Sequence, residues 1–354
     1  MRLHAAVACA LAAIAIACAF AVLLLSKRGF DAGRLVVAGD QFTDARRVPI
    51  PVERHSAGYD GQFYYRLALD PFTHQWTEHG MRIDVPTYRQ QRIFMPLVAW
   101  AVTGGNARAI PIAILVINIA AVGLLAWSSA RIVEESGANA WWSAAVWMYP
   151  GWIISMTRDC AEIVEVALLV TMILAIQRRR TVLGPIAATC AALTKETALL
   201  AIAAFAFATP AVLIAVAAQL GFKFTLFHVW HAAPSLGTGH FSIPFSGLVR
   251  SFALPRPFPI LTNIEIAALA VVAIVAFASF RRAPLSLLLA FALYIPLIAI
   301  LDEGFWIEDW SFMRATSEYW VLGGLIAAIA RRRVGLALSI AVWCAVAWHV
   351  LFVR

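Results

Sequence analysis

The sequence predicts an all-α, polytopic integral membrane protein, and its composition and charge pattern support that prediction. Hydrophobic residues make up 62% of the 354 residues and charged residues only 14%, and the mean hydropathy is +0.79. A water-soluble domain with an ordinary charged surface does not reach this balance. The net charge is +8, but many arginines form short clusters between apolar segments instead of a basic stripe along a helix. This distribution indicates topology signals and argues against nucleic acid as a partner.

The first apolar segment, residues 5–25, is long enough to cross a bilayer and has no clear cleavage site before Ser26. We therefore expect an uncleaved first transmembrane helix. Further apolar segments lie at residues 108–128, 141–156, 161–177, 182–194, 197–208, 211–230, 261–280, 283–301, 319–330 and 334–352. Together they predict about 11 transmembrane helices in a single domain over residues 1–354.

Three arginine clusters orient these helices: residues 178–180, 281–282 and 331–333. If the N-terminus is cytoplasmic, all three lie in short cytoplasmic turns, as the positive-inside rule requires. We therefore expect a protein of a bacterial inner or cell membrane. The same count places three loops on the extracytoplasmic side: residues 26–107, which should contain short helices, 231–260 and 302–318.

The cysteines and the common catalytic motifs give little guidance on chemistry. The five cysteines form neither a disulfide framework nor a metal-type pair. The sequence also has no glycine-rich phosphate loop, no HExxH or GxSxG motif and no internal repeat. We expect no cofactor and no metal site, although a divalent cation stays open, and we expect the chemistry to use loops and polar residues near helix ends.

One acidic residue lies among aromatic residues in the stretch AGYDGQFYYRLALDP, residues 57–71. Asp60 precedes a predicted short helix that Pro71 ends, so one interpretation is a helix N-cap. A cap does not account for the second stretch of this loop, DVPTYRQQRIFMPLVAW at residues 84–100. That stretch adds Tyr88, Arg89, Gln91 and Arg92, followed by an apolar helix that begins before Pro96. We interpret the loop as a lid over a site at the membrane surface.

Polar clusters also interrupt the apolar segments. TRDCAE, residues 157–162, contains Arg158, Asp159 and Glu162, and TKET, residues 194–197, contains Lys195 and Glu196. Charges at membrane depth are costly and usually face a cavity or one another. Each cluster therefore indicates either a functional site or a structural ion pair, such as Arg158 with Asp159 or Glu162.

In this order, the motifs resemble those of the GT-C superfamily of membrane glycosyltransferases. The likeness rests on YDGQFYYRLA after the first apolar segment, then YRQQRIFMPL, then TKET, and it extends over most of the chain in motif order and topology. The resemblance implies a catalytic acidic residue in the first extracytoplasmic loop and a polyprenyl-phosphate-linked sugar donor. Arg314 resembles the arginine that family members place before a late helix. Many members carry two adjacent acids in this loop, whereas Asp60 lies between Tyr59 and Gly61, which leaves metal use open.

The expected reaction is transfer of a monosaccharide from a polyprenyl phosphate to an extracytoplasmic hydroxyl of a glycan, lipid or protein. It needs a carboxylate that accepts the hydroxyl proton and cations that hold the departing phosphate. Asp60 is the predicted general base. The predicted phosphate ligands are Arg66, Arg89, Arg92, Arg158, Lys195 and Arg314. The predicted substrate-binding residues are Tyr59, Gln62, Tyr64, Tyr88, Asp159, Glu162 and Glu196.

Other interpretations stay open at this stage. The tyrosines near Asp60 can equally be interfacial anchors that contact membrane lipids. A transporter or flippase of lipid-linked sugars would also bury charges at helix ends, although the sequence has no matching pair of glycine- or proline-broken helices. A noncatalytic scaffold would not need an acid, arginines and aromatic residues on one face.

Overall fold

The computed structural model describes residues 2–232 and 241–353. The protein is 69% helix and 3% strand. The α-helices are α1 (Arg2–Lys27), α2 (Gly61–Leu69), α3 (Pro86–Gln90), α4 (Phe94–Thr103), α5 (Ile110–Glu135), α6 (Ala144–Trp147), α7 (Gly151–Thr157), α8 (Glu162–Gln177), α9 (Leu183–Thr194), α10 (Ala198–Ala206), α11 (Ile214–Trp230), α12 (Ser246–Ser251), α13 (Pro259–Phe277), α14 (Leu285–Ala299), α15 (Glu303–Ile307), α16 (Asp309–Ala315), α17 (Ser317–Ile329) and α18 (Arg333–Trp348). Short 3-10 helices lie at Ala32–Leu35, Ala140–Ser143 and Pro210–Leu213, and a π-helical turn lies at His349–Val353.

Two small sheets lie in the first long loop. Strand β1 (Ala38–Gly39) pairs in parallel with β2 (Val52–Glu53), and β3 (Thr77–Glu78) pairs antiparallel with β4 (Met81–Arg82). The loop also contains α2, α3 and α4, in agreement with the short helices predicted there. Its helix boundaries match the sequence signals, because α2 ends just before Asp70-Pro71 and α4 begins two residues before Pro96.

Five helical segments in the described parts of the chain are long and apolar enough to cross a membrane: His4–Lys27, Ile110–Glu135, Pro210–Trp230, Pro259–Phe277 and Arg333–Val353. The other predicted segments form shorter helices, from the 4 residues of α6 to the 16 of α8. At 1.5 Å per residue these are roughly 6 to 24 Å long, less than the hydrocarbon core of a bilayer. The protein is therefore a helical, membrane-type bundle, while the number of about 11 spans stays a prediction.

Helices α8 and α17 form the centre of the bundle. Twelve of the 16 residues of α8 and twelve of the 13 residues of α17 are buried. Helix α8 packs against α5 and α9, and α17 packs against α6, α13 and α14. Because both helices are surrounded by other helices, polar residues at their ends face protein instead of lipid.

The three arginine clusters lie together at one end of the bundle. Arg178 pairs with Glu135 at the end of α5 (Nη2 to Oε1, 2.7 Å), and Arg331 donates to the Gly137 carbonyl (2.6 Å). Arg282 donates to the carbonyl of Ala330, next to the third cluster (3.2 Å). Helix α8 runs from the Glu162 cluster to the first arginine cluster, so the two polar regions are about 24 Å apart along its axis.

Candidate functional site

A cavity of about 650 Å³ lies at the end of the bundle opposite the arginine clusters. Its polar wall comes from the first long loop, the start of α8, the turn between α9 and α10, and α15–α16. These residues are Tyr59, Asp60, Asp84, Tyr88, Arg89, Arg92, Glu162, Lys195, Glu196, Thr197, Glu308, Ser311 and Arg314. Its apolar wall consists mainly of Val85, Phe241, Leu297, Leu301 and Phe305. The cavity is therefore charged on one side and hydrocarbon-like on the other.

A close backbone approach holds Asp60 at this cavity. A Cβ atom on Gly61 would lie 2.3 Å from the Arg158 carbonyl oxygen and 2.7 Å from that of Val36. Only a residue without a side chain allows the start of α2 to pack so closely against the turn before α8. This contact brings the loop carboxylate next to charged residues that are distant in the sequence.

Asp60 connects two arginines and does not cap α2. Its Oδ1 lies 2.6 Å from Nη1 of Arg89, and its Oδ2 lies 2.9 Å from Nη2 of Arg314. No amide of α2 donates to its side chain, so the predicted capping interaction is absent even though Asp60 precedes the helix. Burial would raise the pKa of Asp60, but the charges of Arg89, Arg314 and Arg92 outweigh it and hold the pKa well below its usual range. The carboxylate is therefore ionised.

Both of these arginines have a second carboxylate partner. Asp84 accepts from Nε and Nη2 of Arg89 in a bidentate pair (2.8 and 2.7 Å). Glu162 accepts from Nε and Nη2 of Arg314 through one oxygen (3.0 and 2.6 Å). The five side chains form one continuous chain of alternating charge, which ties the loop to the bundle.

A second set of ion pairs borders the same cavity. Arg92 binds both oxygens of Glu196 (2.6 and 2.9 Å) and donates to the hydroxyl of Tyr88 (2.7 Å). Lys195 lies 3.3 Å from a carboxylate oxygen of Glu318. The described cavity wall contains four cationic side chains, and each has a carboxylate partner: Arg89, Arg92, Lys195 and Arg314. A phosphate that enters must compete with those carboxylates.

Two of the predicted phosphate ligands lie away from this cavity. Arg66 is fully buried and donates to the backbone carbonyls of Met81 and Gln75, so it supports the loop. Arg158 lies behind the cavity, where its guanidinium group stacks on the rings of Tyr59 (4.3 Å) and Trp310 (3.8 Å). The prediction that Arg66 holds the donor phosphate is not supported, because its donors face the interior of the loop.

The predicted substrate-binding residues also divide into two groups. Tyr59, Tyr88, Glu162 and Glu196 line the cavity. Gln62 instead accepts from the Gly39 amide and the Thr43 hydroxyl and donates to the Ala57 carbonyl, which fixes the loop backbone. Tyr64 and Asp159 are buried outside the cavity wall. The ion pair considered between Arg158 and Glu162 is replaced by the pair of Glu162 with Arg314.

Sequence reasoning missed two carboxylates of this network. Asp84 begins the stretch at residues 84–100, and Glu318 lies four residues after Arg314, but neither is among the predicted site residues. The available signal for Glu318 was its position at the start of an apolar helix, where an acidic residue needs a partner. Lys195 and the hydroxyl of Thr197 supply that partner.

One group of possible metal ligands lies outside the cavity. In the described residues, atoms of Asp70, Glu78 and His79 lie within 4.8 Å of one another near the β3–β4 hairpin. Within the cavity, the carboxylates of Asp60, Asp84, Glu162 and Glu196 bind arginines instead.

No protein-family model, curated protein or solved structure matches this chain.

Proposed function

We propose that the protein is a membrane glycosyltransferase that moves a monosaccharide from a polyprenyl-phosphate donor to a hydroxyl of a glycan, lipid or protein. The observation that supports this most is the ionised Asp60 between two arginines in a cavity with one charged and one apolar wall. The charged wall suits the sugar phosphate, and the apolar wall suits the first isoprene units. A water-soluble sugar nucleotide would gain nothing from the apolar wall.

The carboxylate and the cations have separate roles in the reaction. The acceptor oxygen attacks the anomeric carbon of the sugar while Asp60 takes the hydroxyl proton. The bond between that carbon and the phosphate oxygen breaks, and the polyprenyl phosphate leaves with the electron pair. Arg89 and Arg314 are placed to stabilise the negative charge on the leaving phosphate, because a guanidinium group can bind two phosphate oxygens.

The ion pairs of the cavity suggest an order of events. Asp60 is a weak base while both of its oxygens bind guanidinium groups. The donor phosphate competes for the same two groups, so its arrival releases Asp60 for proton transfer. Asp84 and Glu162 keep both arginines in place during this exchange.

We place this reaction on the extracytoplasmic side of a bacterial inner or cell membrane. The cavity and the arginine clusters lie at opposite ends of α8, and the positive-inside rule assigns the arginine end to the cytoplasm.

Purified protein in sealed proteoliposomes tests the proposal directly. The donor is a polyprenyl phosphate that carries a radiolabelled sugar, and the acceptor is a membrane extract of the source cells. The wild-type protein should move label to the acceptor fraction and release unlabelled polyprenyl phosphate, and Asp60→Asn should not. If the label stays on the lipid but changes leaflet, the protein is a flippase of lipid-linked sugars.

A further inference from the structure

A second cavity, of about 340 Å³, lies on the other side of the stack formed by Tyr59, Arg158 and Trp310. It is enclosed by the end of α1, the 3-10 helix that follows, strand β2, the turn after α7 and the π-helical turn at the C-terminal side. Leu24 and Leu351 supply apolar surface on the side of the membrane helices. The cavity therefore joins the membrane surface to the back of the reaction site.

Its charge differs from that of the first cavity. Lys27, Arg28, Arg34 and Arg158 line it, and Glu53 is the one acidic side chain among the described lining residues. Lys27, Arg28 and Arg34 form no ion pair with a carboxylate in the described parts of the chain. Among the described residues of the first cavity, each cation has such a partner. The second cavity therefore has an excess of positive charge, because four cationic side chains and one carboxylate line it.

Contacts with the protein hold two of these cationic side chains in place. Nη1 of Arg28 donates to the carbonyl of Arg34 (2.7 Å), and the guanidinium group of Arg158 lies 3.8 Å above the Trp310 ring. Asp159 is buried close behind, and burial raises its pKa well above the usual range although Arg28 opposes the effect. Burial therefore disfavours a negative charge on Asp159, which would otherwise oppose the positive charge of the cavity.

We propose that this second cavity binds the phosphate group of an anionic membrane lipid. Two arginines and a lysine without carboxylate partners provide the donors that a phosphate needs, and guanidinium groups bind phosphate oxygens in pairs. A membrane lipid is the expected source of this phosphate, because Leu24 and Leu351 in the apolar wall are next in sequence to the exposed apolar residues Leu23 and Phe352. A free phosphate ion would contact the cationic side chains but not the apolar wall. This inference does not depend on the transferase activity.

Arg158 connects the two cavities. Its guanidinium group borders the second cavity, and its stacking partner Tyr59 lines the first. A lipid phosphate in the second cavity would thus lie one side chain away from the proposed reaction site.

Lipid binding to the purified protein tests the proposal without any measurement of transfer. Thermal unfolding in detergent is followed during titration with phosphatidylglycerol, with phosphatidylcholine and inorganic phosphate as comparison ligands. We expect phosphatidylglycerol to stabilise the protein preferentially. Arg28→Gln and Arg34→Gln should each weaken its apparent affinity about tenfold, because each removes a charged hydrogen-bond donor.

Two variants separate a specific site from general surface charge. Glu53→Gln removes the opposing charge from the cavity wall and should strengthen binding a few-fold. Arg46→Gln removes a positive charge from the same loop but outside the cavity, and it should leave binding unchanged. An equal loss in Arg46→Gln, no preference over phosphatidylcholine, or the same stabilisation by inorganic phosphate alone would each overturn the proposal. The increase expected for Glu53→Gln keeps the test decisive even if an arginine variant does not fold.

Discussion

Asp60 is the side chain on which the proposed chemistry depends most, and its surroundings allow its charge to be removed cleanly. In Asp60→Asn, Arg89 keeps Asp84 and Arg314 keeps Glu162, so neither arginine becomes an unpaired buried charge. We expect normal thermal unfolding and a loss of sugar transfer of about a hundredfold or more, because asparagine cannot accept a proton. Transfer of labelled sugar and circular dichroism on the same sample measure the two effects.

Asp84→Asn is the matched control for Asp60→Asn. It removes the other carboxylate partner of Arg89 but leaves the proposed base intact, so the transfer rate should fall much less. Near-normal turnover in Asp60→Asn would show that Asp60 serves only as a charge partner.

Lys195 and Glu318 form a buried ion pair, and its contribution to the free energy of unfolding can be measured. Both side chains are at least nine-tenths buried, and they lie 3.3 Å apart. Lys195→Met leaves the Glu318 carboxylate without its cation and should lower the free energy of unfolding by about 3 kcal/mol or more. The double variant Lys195→Met/Glu318→Gln should recover much of that loss, which a double-mutant cycle by thermal or chemical unfolding measures.

The effect of Lys195→Met on polyprenyl phosphate binding separates structure from function. If Lys195 also holds the donor phosphate, the double variant will be stable but will bind polyprenyl phosphate weakly. Full stability and full binding in the double variant would assign Lys195 a structural role alone.

For single residues, the sequence predicts which side chains line the cavity better than it predicts the ion pairs that they form. The sequence predicts Asp60 from its position among aromatic residues in the first loop. It predicts Arg89, Arg92, Lys195 and Arg314 as cations that can hold a phosphate, and all five side chains line the cavity. Their pairing depends on contacts across as many as 254 residues of sequence, which no local pattern records. Arg66 lies away from this cavity for the same reason, because its backbone partners depend on how the loop folds.

At the level of elements, the start of α2 depends on Gly61. Gly61→Ala would place a Cβ atom 2.3 Å from the Arg158 carbonyl oxygen. We expect a loss of about 1–3 kcal/mol in stability and reduced transfer, because the shift moves Asp60 away from Arg314. Thermal unfolding and a transfer assay measure both effects.

Gly221 in α11 provides the matched control. Among the described residues, no atom outside the neighbouring backbone of α11 lies within 4 Å of the position of its added Cβ, and its own backbone is helical. Gly221→Ala should therefore stabilise the protein slightly, by up to about 1 kcal/mol, since alanine favours the helix. A similar loss in both variants would mean that the close approach of Gly61 to Arg158 does not matter.

The predicted apolar segments form helices, and five of them are long and apolar enough to cross a membrane, while the number of about 11 spans stays a prediction. The segment at residues 141–156 became a 3-10 helix followed by α6 and α7, which are separated at Pro150. The segment at residues 197–208 contains α10, which is only 9 residues long. Hydropathy reports that a stretch avoids water, and buried helices of a bundle satisfy that condition as well as lipid-facing helices do.

For the whole molecule, the orientation can be tested with single cysteines in a variant whose five native cysteines are replaced by serine. His74 and Arg179 are both exposed and lie at opposite ends of the bundle. His74→Cys should react with a membrane-impermeant maleimide in intact cells, and Arg179→Cys should react only after permeabilisation. The reverse pattern would place the Asp60 cavity on the cytoplasmic side.

The contact of Lys27 with Phe352 constrains the path of the whole chain. The ammonium group of Lys27, at the end of α1, lies 4.9 Å from the centre of the Phe352 ring. The start of α1 packs instead against Ala130 and Ala140, near the arginine end. The described chain thus starts at the arginine end of the bundle and finishes at the opposite end. The number of times it crosses the bundle from end to end must therefore be odd. Both five and about 11 satisfy this parity. Reporter proteins fused to the two termini should therefore report opposite compartments, however the short helices are counted.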